Sequence, residues 1–124
     1  MKGVPETRLY GIPNCNTVKK AREWLAQNGI AVEFHDFKKS GLDQATARKW
    51  LTQVDWTKLI NRNGLTWRGL PEQRKQDIHD AKSALALMLE KASVIKRPVL
   101  EQNGKLLQVG FDEAVYSKIF NLHP

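Results

Sequence analysis

The chain has 124 residues, of which 41% are hydrophobic and 27% are charged, a composition typical of one globular domain and not of a disordered chain. Its formal net charge of +7 predicts attraction to anions, but its lysines and arginines are scattered and form no nucleic-acid-binding motif, so we do not expect nucleic acid as a partner. The single cysteine excludes an intramolecular disulfide, and no stretch resembles a signal peptide or a membrane span, so we expect a cytoplasmic protein without a membrane partner.

The first part of the chain has the pattern of a strand, a helix and a second strand. Residues 8–12 predict a short strand, and apolar residues at three- and four-residue steps then predict a helix over about 15–27. Asn28 and Gly29 end this helix, and the alternation over 31–37 predicts the second strand. A unit this compact predicts two parallel strands joined by a right-handed crossover.

The middle of the chain predicts a helical insertion over about residues 42–91. Asp43 and Asp80 are the expected N-caps of two helices, and a shorter helical piece is expected over 56–61. Residues 66–68 are expected to lie in a polar loop. The insertion separates the first strand–helix–strand half of the fold from the strands and helix near the C-terminus.

The last part of the chain predicts a hairpin and a final helix. Residues 99–101 and 106–109 are expected to form antiparallel strands, because Asn103-Gly104 between them is typical of a tight turn. Asp112 is expected to cap the final helix. We assign the buried side of that helix to Val115, Ile119 and Phe120. Residues 1–124 are therefore predicted to form a single α/β domain with a mixed four-stranded sheet.

Cys15 is the candidate reactive residue, because it lies at the start of the first predicted helix. Unpaired backbone N–H groups and the positive end of the helix dipole favour the thiolate there, which is the nucleophilic form. Asn14, Asn16 and Thr17 could contact an anion or could only cap the helix. Lys19 could support the thiolate or lie on a solvated face. The alternative for Cys15 is a small buried hydrophobic residue, which free cysteine often is.

Three sequence segments occur in an order that is typical of a known family. They are Pro13-Asn14-Cys15, Leu59-Ile60-Asn61-Arg62 and Val94-Ile95-Lys96-Arg97-Pro98-Val99. In order and spacing the chain resembles the arsenate reductase/Spx family over nearly its whole length. With one cysteine it is most similar to the small Spx/MgsR-like bacterial reductases of the YffB type. The resemblance implies a thioredoxin-like fold.

The resemblance also implies roles for individual residues. Cys15 is then the nucleophile, Arg97 and Arg62 bind the substrate, and Pro98 has a cis peptide bond that brings its neighbour beside the sulfur. Val18 stands where Spx proteins carry a second cysteine, so the chain has no internal resolving thiol. Glutathione is therefore the expected co-substrate, bound near the sulfur by the residues above, with no tightly bound cofactor. From the residues alone, Arg97 and Arg62 could instead be solvated surface charges without a role in binding.

Three functions remain open at this point. The favoured one is a glutathione-dependent thiol–disulfide oxidoreductase, which is an enzyme. The second is a non-enzymatic Spx-like regulator that binds RNA polymerase or another protein, for example through a protein thiol or disulfide. The third is arsenate reduction, which the resemblance to the arsenate reductases implies. We expect it to be weak, because Val109 stands where those enzymes carry a third arginine. No metal site is expected, since the histidines are far apart. They are His35, His79 and His123.

Overall fold

The computed structural model describes residues 6–122, so His123 lies outside the described residues. The chain divides into two compact units, a sheet unit of residues 6–36 and 97–122 and a helical unit of residues 37–96. The sequence-based expectation of a single domain over 1–124 stays a prediction.

The sheet unit contains four strands and two helices. In chain order they are β1 (Thr7–Gly11), α1 (Asn16–Gln27), β2 (Glu33–Asp36), β3 (Val99–Gln102), β4 (Lys105–Val109) and α8 (Glu113–Ile119). The strand order is β2-β1-β3-β4, in which β1 and β2 are parallel and the other pairs are antiparallel. This is the predicted mixed four-stranded α/β fold.

The core of the sheet unit is a cluster of buried apolar side chains from β1, α1, β3 and α8. Its members are Leu9, Ala21, Trp24, Leu25, Leu100 and Tyr116. The buried side of α8 includes Ile119 and Phe120, which pack against this cluster as predicted, but its one fully buried residue is Tyr116. The three residues assigned to its buried side, Val115, Ile119 and Phe120, are only half-buried. The Tyr116 ring occupies the interior position because it packs edge-on against Trp24 and Phe111.

Turn and capping residues confirm where most elements of the sheet unit begin and end. Asn103 and Gly104 have φ values of 52° and 80°, the left-handed conformation that a two-residue hairpin turn requires. Asp112 caps α8 by accepting a hydrogen bond of 3.1 Å from the Val115 N–H. Gly29, with φ of 70°, follows the end of α1 as expected.

The helical unit is built from six short α-helices and one turn of 3-10 helix. They are α2 (Phe37–Ser40), α3 (Gln44–Gln53), α4 (Trp56–Leu59), α5 (Leu65–Arg68), α6 (Glu72–Asp77), α7 (Ala81–Glu90) and the 3-10 turn Ala92–Val94. Asp43 and Asp80 cap α3 and α7 as predicted, and Asp55 caps α4. Buried Trp50 on α3 and Leu87 on α7 contribute to the interior of this unit.

Two parts of the helical unit differ from the sequence-based prediction. The unit begins at Phe37, earlier than expected, because β2 ends at Asp36 and a single helical turn follows at once. Residues 66–68 lie in α5 and not in a loop, and α6 was not predicted. Helices this short are not stable in isolation, so local sequence does not reveal them. The longest described helix, α1, has 12 residues, fewer than the roughly 20 needed to cross a bilayer.

Candidate functional site

The candidate site is centred on Cys15, which occupies the N-cap position of α1. Its backbone is extended, with φ of −102° and ψ of 126°, and its carbonyl accepts the first helical hydrogen bond from the Lys19 N–H at 2.9 Å. The side chain is partly exposed and the thiol is free. The thiol is therefore accessible and lies where the unpaired N–H groups of a helix begin, as the sequence pattern predicted.

The surroundings of Cys15 have opposing effects on its pKa, and the net effect is to lower it. Burial raises the pKa of the Cys15 thiol, but the Val18 N–H, the Arg97 guanidinium and the Thr17 N–H together lower it by more. The two N–H groups and the guanidinium act as hydrogen-bond donors toward the sulfur, and the positive charge of Arg97 adds to their effect. A lowered pKa raises the fraction of the nucleophilic thiolate.

Arg97 reaches the site from the segment that leads into β3. The Arg97-Pro98 peptide bond is cis, which confirms what the resemblance implied. Pro98 is buried, and its carbonyl accepts a hydrogen bond of 2.8 Å from the Gly110 N–H, which follows β4. Two strands of the sheet therefore hold this segment, and the Arg97 guanidinium interacts with the Cys15 sulfur.

Other candidate residues of the sheet unit lie on the same short stretch of chain as Cys15. Asn14 is exposed in the turn before it, and Asn16 and Thr17 are the first two residues of α1 and are also exposed. The Thr17 N–H acts on the thiolate. Lys19 is exposed on α1. These residues place exposed polar side chains next to the thiol in sequence, and an anionic ligand could be bound in such a setting.

Val109 occupies the end of β4, opposite Val99 of β3. Its side chain is half-buried and apolar, so this position offers no hydrogen-bond donor. An arsenate reductase of the resembled type would have a guanidinium there. Within residues 6–122, no group of three or more histidine, cysteine, aspartate or glutamate side chains is arranged to hold a metal ion.

Arg62 belongs to the helical unit, where it follows α4. It is exposed, and its guanidinium carbon lies 5.8 Å from the centroid of the Trp56 ring. This is the distance of a cation–π contact. The substrate-binding role that the resemblance implies for Arg62 stays a prediction.

The sequence predicted that N–H groups of the first helix act on the thiol, but it did not identify which residues supply them. The structure identifies them as Val18 and Thr17, and the hydrogen bond of the Val18 N–H is the largest single effect that lowers the thiol pKa. The available signal was the position of Val18, since the third residue after an N-cap presents an unpaired N–H to the capping side chain.

Comparisons with known proteins agree with this geometry. A model of the ArsC family matches residues 10–119. The solved structure of a protein named YFFB is 44% identical, covers 90% of this chain and 96% of its own, and has a TM-score of 0.85. The solution structure of an arsenate reductase (ArsC) related protein from Brucella melitensis is 49% identical, covers 98% of this chain and 100% of its own, and has a TM-score of 0.75.

A transcriptional regulator is also similar. The global transcriptional regulator Spx of Streptococcus agalactiae is 27% identical over 108 residues, which cover 85% of this chain and 76% of Spx. The family match spans nearly the whole chain, and the structural neighbours share its topology. The protein belongs to the ArsC family and has that family's thioredoxin-like fold.

Proposed function

We propose that this protein is a thiol–disulfide oxidoreductase that acts through Cys15 and uses glutathione as its second thiol. Family membership supports a thiol oxidoreductase-like or Spx-type regulatory role. The observation that carries the enzymatic proposal is the position of a partly exposed Cys15 at the N-cap of α1 and beside Arg97, which together lower the pKa of the thiol. A structural cysteine does not need such an environment, whereas a nucleophilic one does.

In the first step of the proposed reaction, the Cys15 thiolate attacks the glutathione sulfur of a mixed disulfide between glutathione and a substrate thiol. A new disulfide forms between Cys15 and glutathione, and the substrate sulfur leaves as a thiolate that takes up a proton. The Arg97 guanidinium is suited to stabilise the negative charge that is shared among the sulfurs in the transition state.

In the second step, a second glutathione thiolate attacks the glutathione sulfur of the Cys15 mixed disulfide. Oxidised glutathione leaves and the Cys15 thiolate is restored. Across both steps, the mixed disulfide and one reduced glutathione are converted into the free substrate thiol and one oxidised glutathione. An external thiol is required because the chain has no other cysteine.

Intact-mass measurement after incubation with oxidised glutathione tests this chemistry. The wild-type chain should gain one glutathionyl group, reduced glutathione should remove it, and Cys15→Ser should gain none. A turnover assay with a glutathione mixed disulfide of a small thiol then tests catalysis. If Cys15 stays unmodified, or if Cys15→Ser turns over as fast as wild type, the proposal is wrong.

The role of Arg62 in this proposal is supported by the family resemblance. Arg62→Ala should lower kcat/KM for the mixed disulfide while the alkylation pKa of Cys15 stays unchanged. Arg48→Ala, which removes another exposed arginine of the helical unit, is the matched control. Equal kinetics for the two variants would remove Arg62 from the proposal.

A second candidate function is regulation by binding another protein. It is favoured by the similarity to Spx, which extends over most of this chain. Purified RNA polymerase immobilised on a sensor surface would test it, with wild type and Cys15→Ser as analytes. Binding of both proteins, together with no turnover of mixed disulfides, would favour the regulatory function over the enzymatic one.

A further inference from the structure

The positive charge of this chain is concentrated in the helical unit. Over residues 37–96, twelve lysines and arginines stand against six aspartates and glutamates, which gives a net charge of +6. The described residues of the sheet unit contain seven of each kind. The positive residues are scattered along the sequence, but nearly all of their excess belongs to one unit.

The acidic side chains of the helical unit are already engaged. Three of them cap helices, two form ion pairs and one accepts a hydrogen bond from a glutamine. In that order they are Asp43, Asp55, Asp80, Glu72, Glu90 and Asp77. Arg74 and Lys75 form the two ion pairs, and the charges of Lys58 and Lys91 also act on Asp55 and Glu90. Six acidic residues still leave this unit with twice as many cations as carboxylates.

Five exposed cations lie on two chain segments that are hydrogen-bonded to each other. The Asn61 N–H donates to the Val94 carbonyl, and the Lys96 N–H donates to the Leu59 carbonyl, both at 2.8 Å. Residues 56–71 and 91–96 include no acidic residue, and the nearest in sequence are Asp55 and Glu90, which directly precede the two segments, and Glu72. The exposed cations, which together we call the cationic patch, are Lys58, Arg62, Arg68, Lys91 and Lys96.

The same pair of segments presents an exposed aliphatic side chain. Leu65 is 85% exposed, the highest value for a large hydrophobic residue in the described chain. It begins α5, and α5 is fixed to the other segment by a hydrogen bond of 2.8 Å between the Thr66 and Ser93 hydroxyl groups. Leu65 is thus held in a defined position and is flanked in sequence by Arg62 and Arg68.

The combination of charge and an aliphatic side chain favours one class of partner. A phosphate backbone would interact with the cations but would gain nothing from Leu65. A protein surface can do both, because carboxylates can pair with the cations while an apolar pocket takes up the leucine. Arginine and tryptophan are also enriched among the residues that contribute most to protein–protein binding. In this unit the Arg62 guanidinium lies over the ring of Trp56.

We propose that the cationic patch is a docking surface for an acidic protein, with Leu65 inserting into an apolar pocket that the partner's carboxylates surround. This inference rests on charge and exposure within the helical unit. The patch shares Arg62 with the proposed function, so the variants that test it leave Arg62 and Cys15 unchanged.

Fluorescence anisotropy with the full chain tests the proposal. The probes are two labelled peptides of equal charge and without cysteine, one of glutamate alone and one in which leucines interrupt the glutamates, and a single-stranded oligonucleotide of the same charge. The leucine-containing peptide should bind roughly tenfold more tightly than the glutamate peptide, since burial of one leucine stabilises a complex by about 1.5 kcal/mol or more. Leu65→Ser should abolish this difference.

Charge-matched variants distinguish binding by the cationic patch from attraction by the net positive charge of the whole protein. Arg68→Ala/Lys91→Ala should weaken the binding of both peptides roughly fivefold or more, and Lys105→Ala/Lys118→Ala, which removes two exposed cations of the sheet unit, should do so by less than about twofold. Amide chemical shifts on titration should change over 56–71 and 91–96. The proposal is overturned if neither peptide binds, if the oligonucleotide binds more tightly, if Leu65→Ser has no effect or if both double variants lose binding equally.

Discussion

Gly11 at the end of β1 lies against Val18 in the first turn of α1, so closely that a Cβ atom on Gly11 would be 2.8 Å from Cγ2 of Val18. The valine side chain cannot yield easily, because its β-branch leaves it little rotamer freedom. The contact therefore fixes how near the strand end can come to the helix whose Val18 N–H acts on the Cys15 thiolate.

Gly11→Ala should disturb both stability and the thiol. The added methyl group should lower the free energy of unfolding by about 1–3 kcal/mol and, by displacing Val18, should raise the pKa of Cys15. Urea denaturation and the pH profile of iodoacetamide alkylation measure the two effects. Gly29→Ala is the control, since it strains a residue with φ of 70° but meets no atom within 4 Å, so it should destabilise the chain without changing the thiol pKa.

Arg97→Ala should raise the alkylation pKa of Cys15, because it removes both a hydrogen-bond donor and a positive charge from the sulfur. It should also weaken glutathione binding roughly tenfold, the effect of losing a charge-assisted hydrogen bond. Lys118→Ala removes an exposed charge from α8 and is the control, whose small effect should disappear with added salt. Equal losses for the two variants at all salt concentrations would contradict a specific role for Arg97.

The lowered pKa of Cys15 makes stability depend on pH in a defined direction. Between the pKa of the folded chain and that of the unfolded chain, the unfolded state holds a proton that the folded state has released, so stability rises with pH. The stabilisation is complete above the unfolded-state pKa of about 8.5 and is lost as the pH falls through the folded-state value. The free energy of unfolding of wild type minus that of Cys15→Ser should therefore increase with pH, and a constant or falling difference would contradict it.

Val109→Arg should raise any arsenate reductase activity above that of wild type, which should itself be weak or absent. The substitution places a guanidinium at the β4 position where the chain has a half-buried valine opposite Val99. Arsenate-dependent oxidation of glutathione, coupled to glutaredoxin, measures the rate. Val109→Leu should stay at the wild-type level, and robust activity of the wild type would show that the third arginine is not required.

Tyr116→Phe should leave the protein equally stable or more stable by up to about 1 kcal/mol. The Tyr116 hydroxyl is fully buried and has no hydrogen-bond partner among residues 6–122, so it loses its hydration on folding without compensation. Urea denaturation measures the change. Tyr10→Phe is the comparison, since its hydroxyl donates to Glu101 at 3.0 Å and its removal should be destabilising.

Local sequence patterns predicted the helices and strands that begin or end at a capping or turn residue. Asp43, Asp80 and Asp112 cap the helices assigned to them, and Asn103-Gly104 forms the hairpin turn, because these residues act through neighbours within a few positions. Helices α5 and α6 have no such signal. They are one to two turns long, and α5 is held by a hydrogen bond to Ser93, distant in sequence.

The candidate site was predictable in its centre and less so in its surroundings. The strand–turn–helix pattern placed Cys15 at a helix N-terminus, which is a local property. That Arg97 acts on the sulfur depends on the pairing of β3 with β1, a long-range arrangement that was available only through the family resemblance. The segregation of charge was countable from the sequence, but only once the boundaries of the helical unit were known.

If the chain uses glutathione as proposed, its single cysteine determines to which property of the glutathione pool it responds. Exchange of the Cys15 thiol with oxidised glutathione releases one reduced glutathione, so the equilibrium depends on the ratio of oxidised to reduced glutathione and not on their total concentration. A protein that closes an internal disulfide releases two, and its equilibrium shifts when the pool is diluted at constant ratio. With valine at position 18 and no second cysteine, the redox state of this chain in the proposed exchange should therefore be insensitive to the size of the pool.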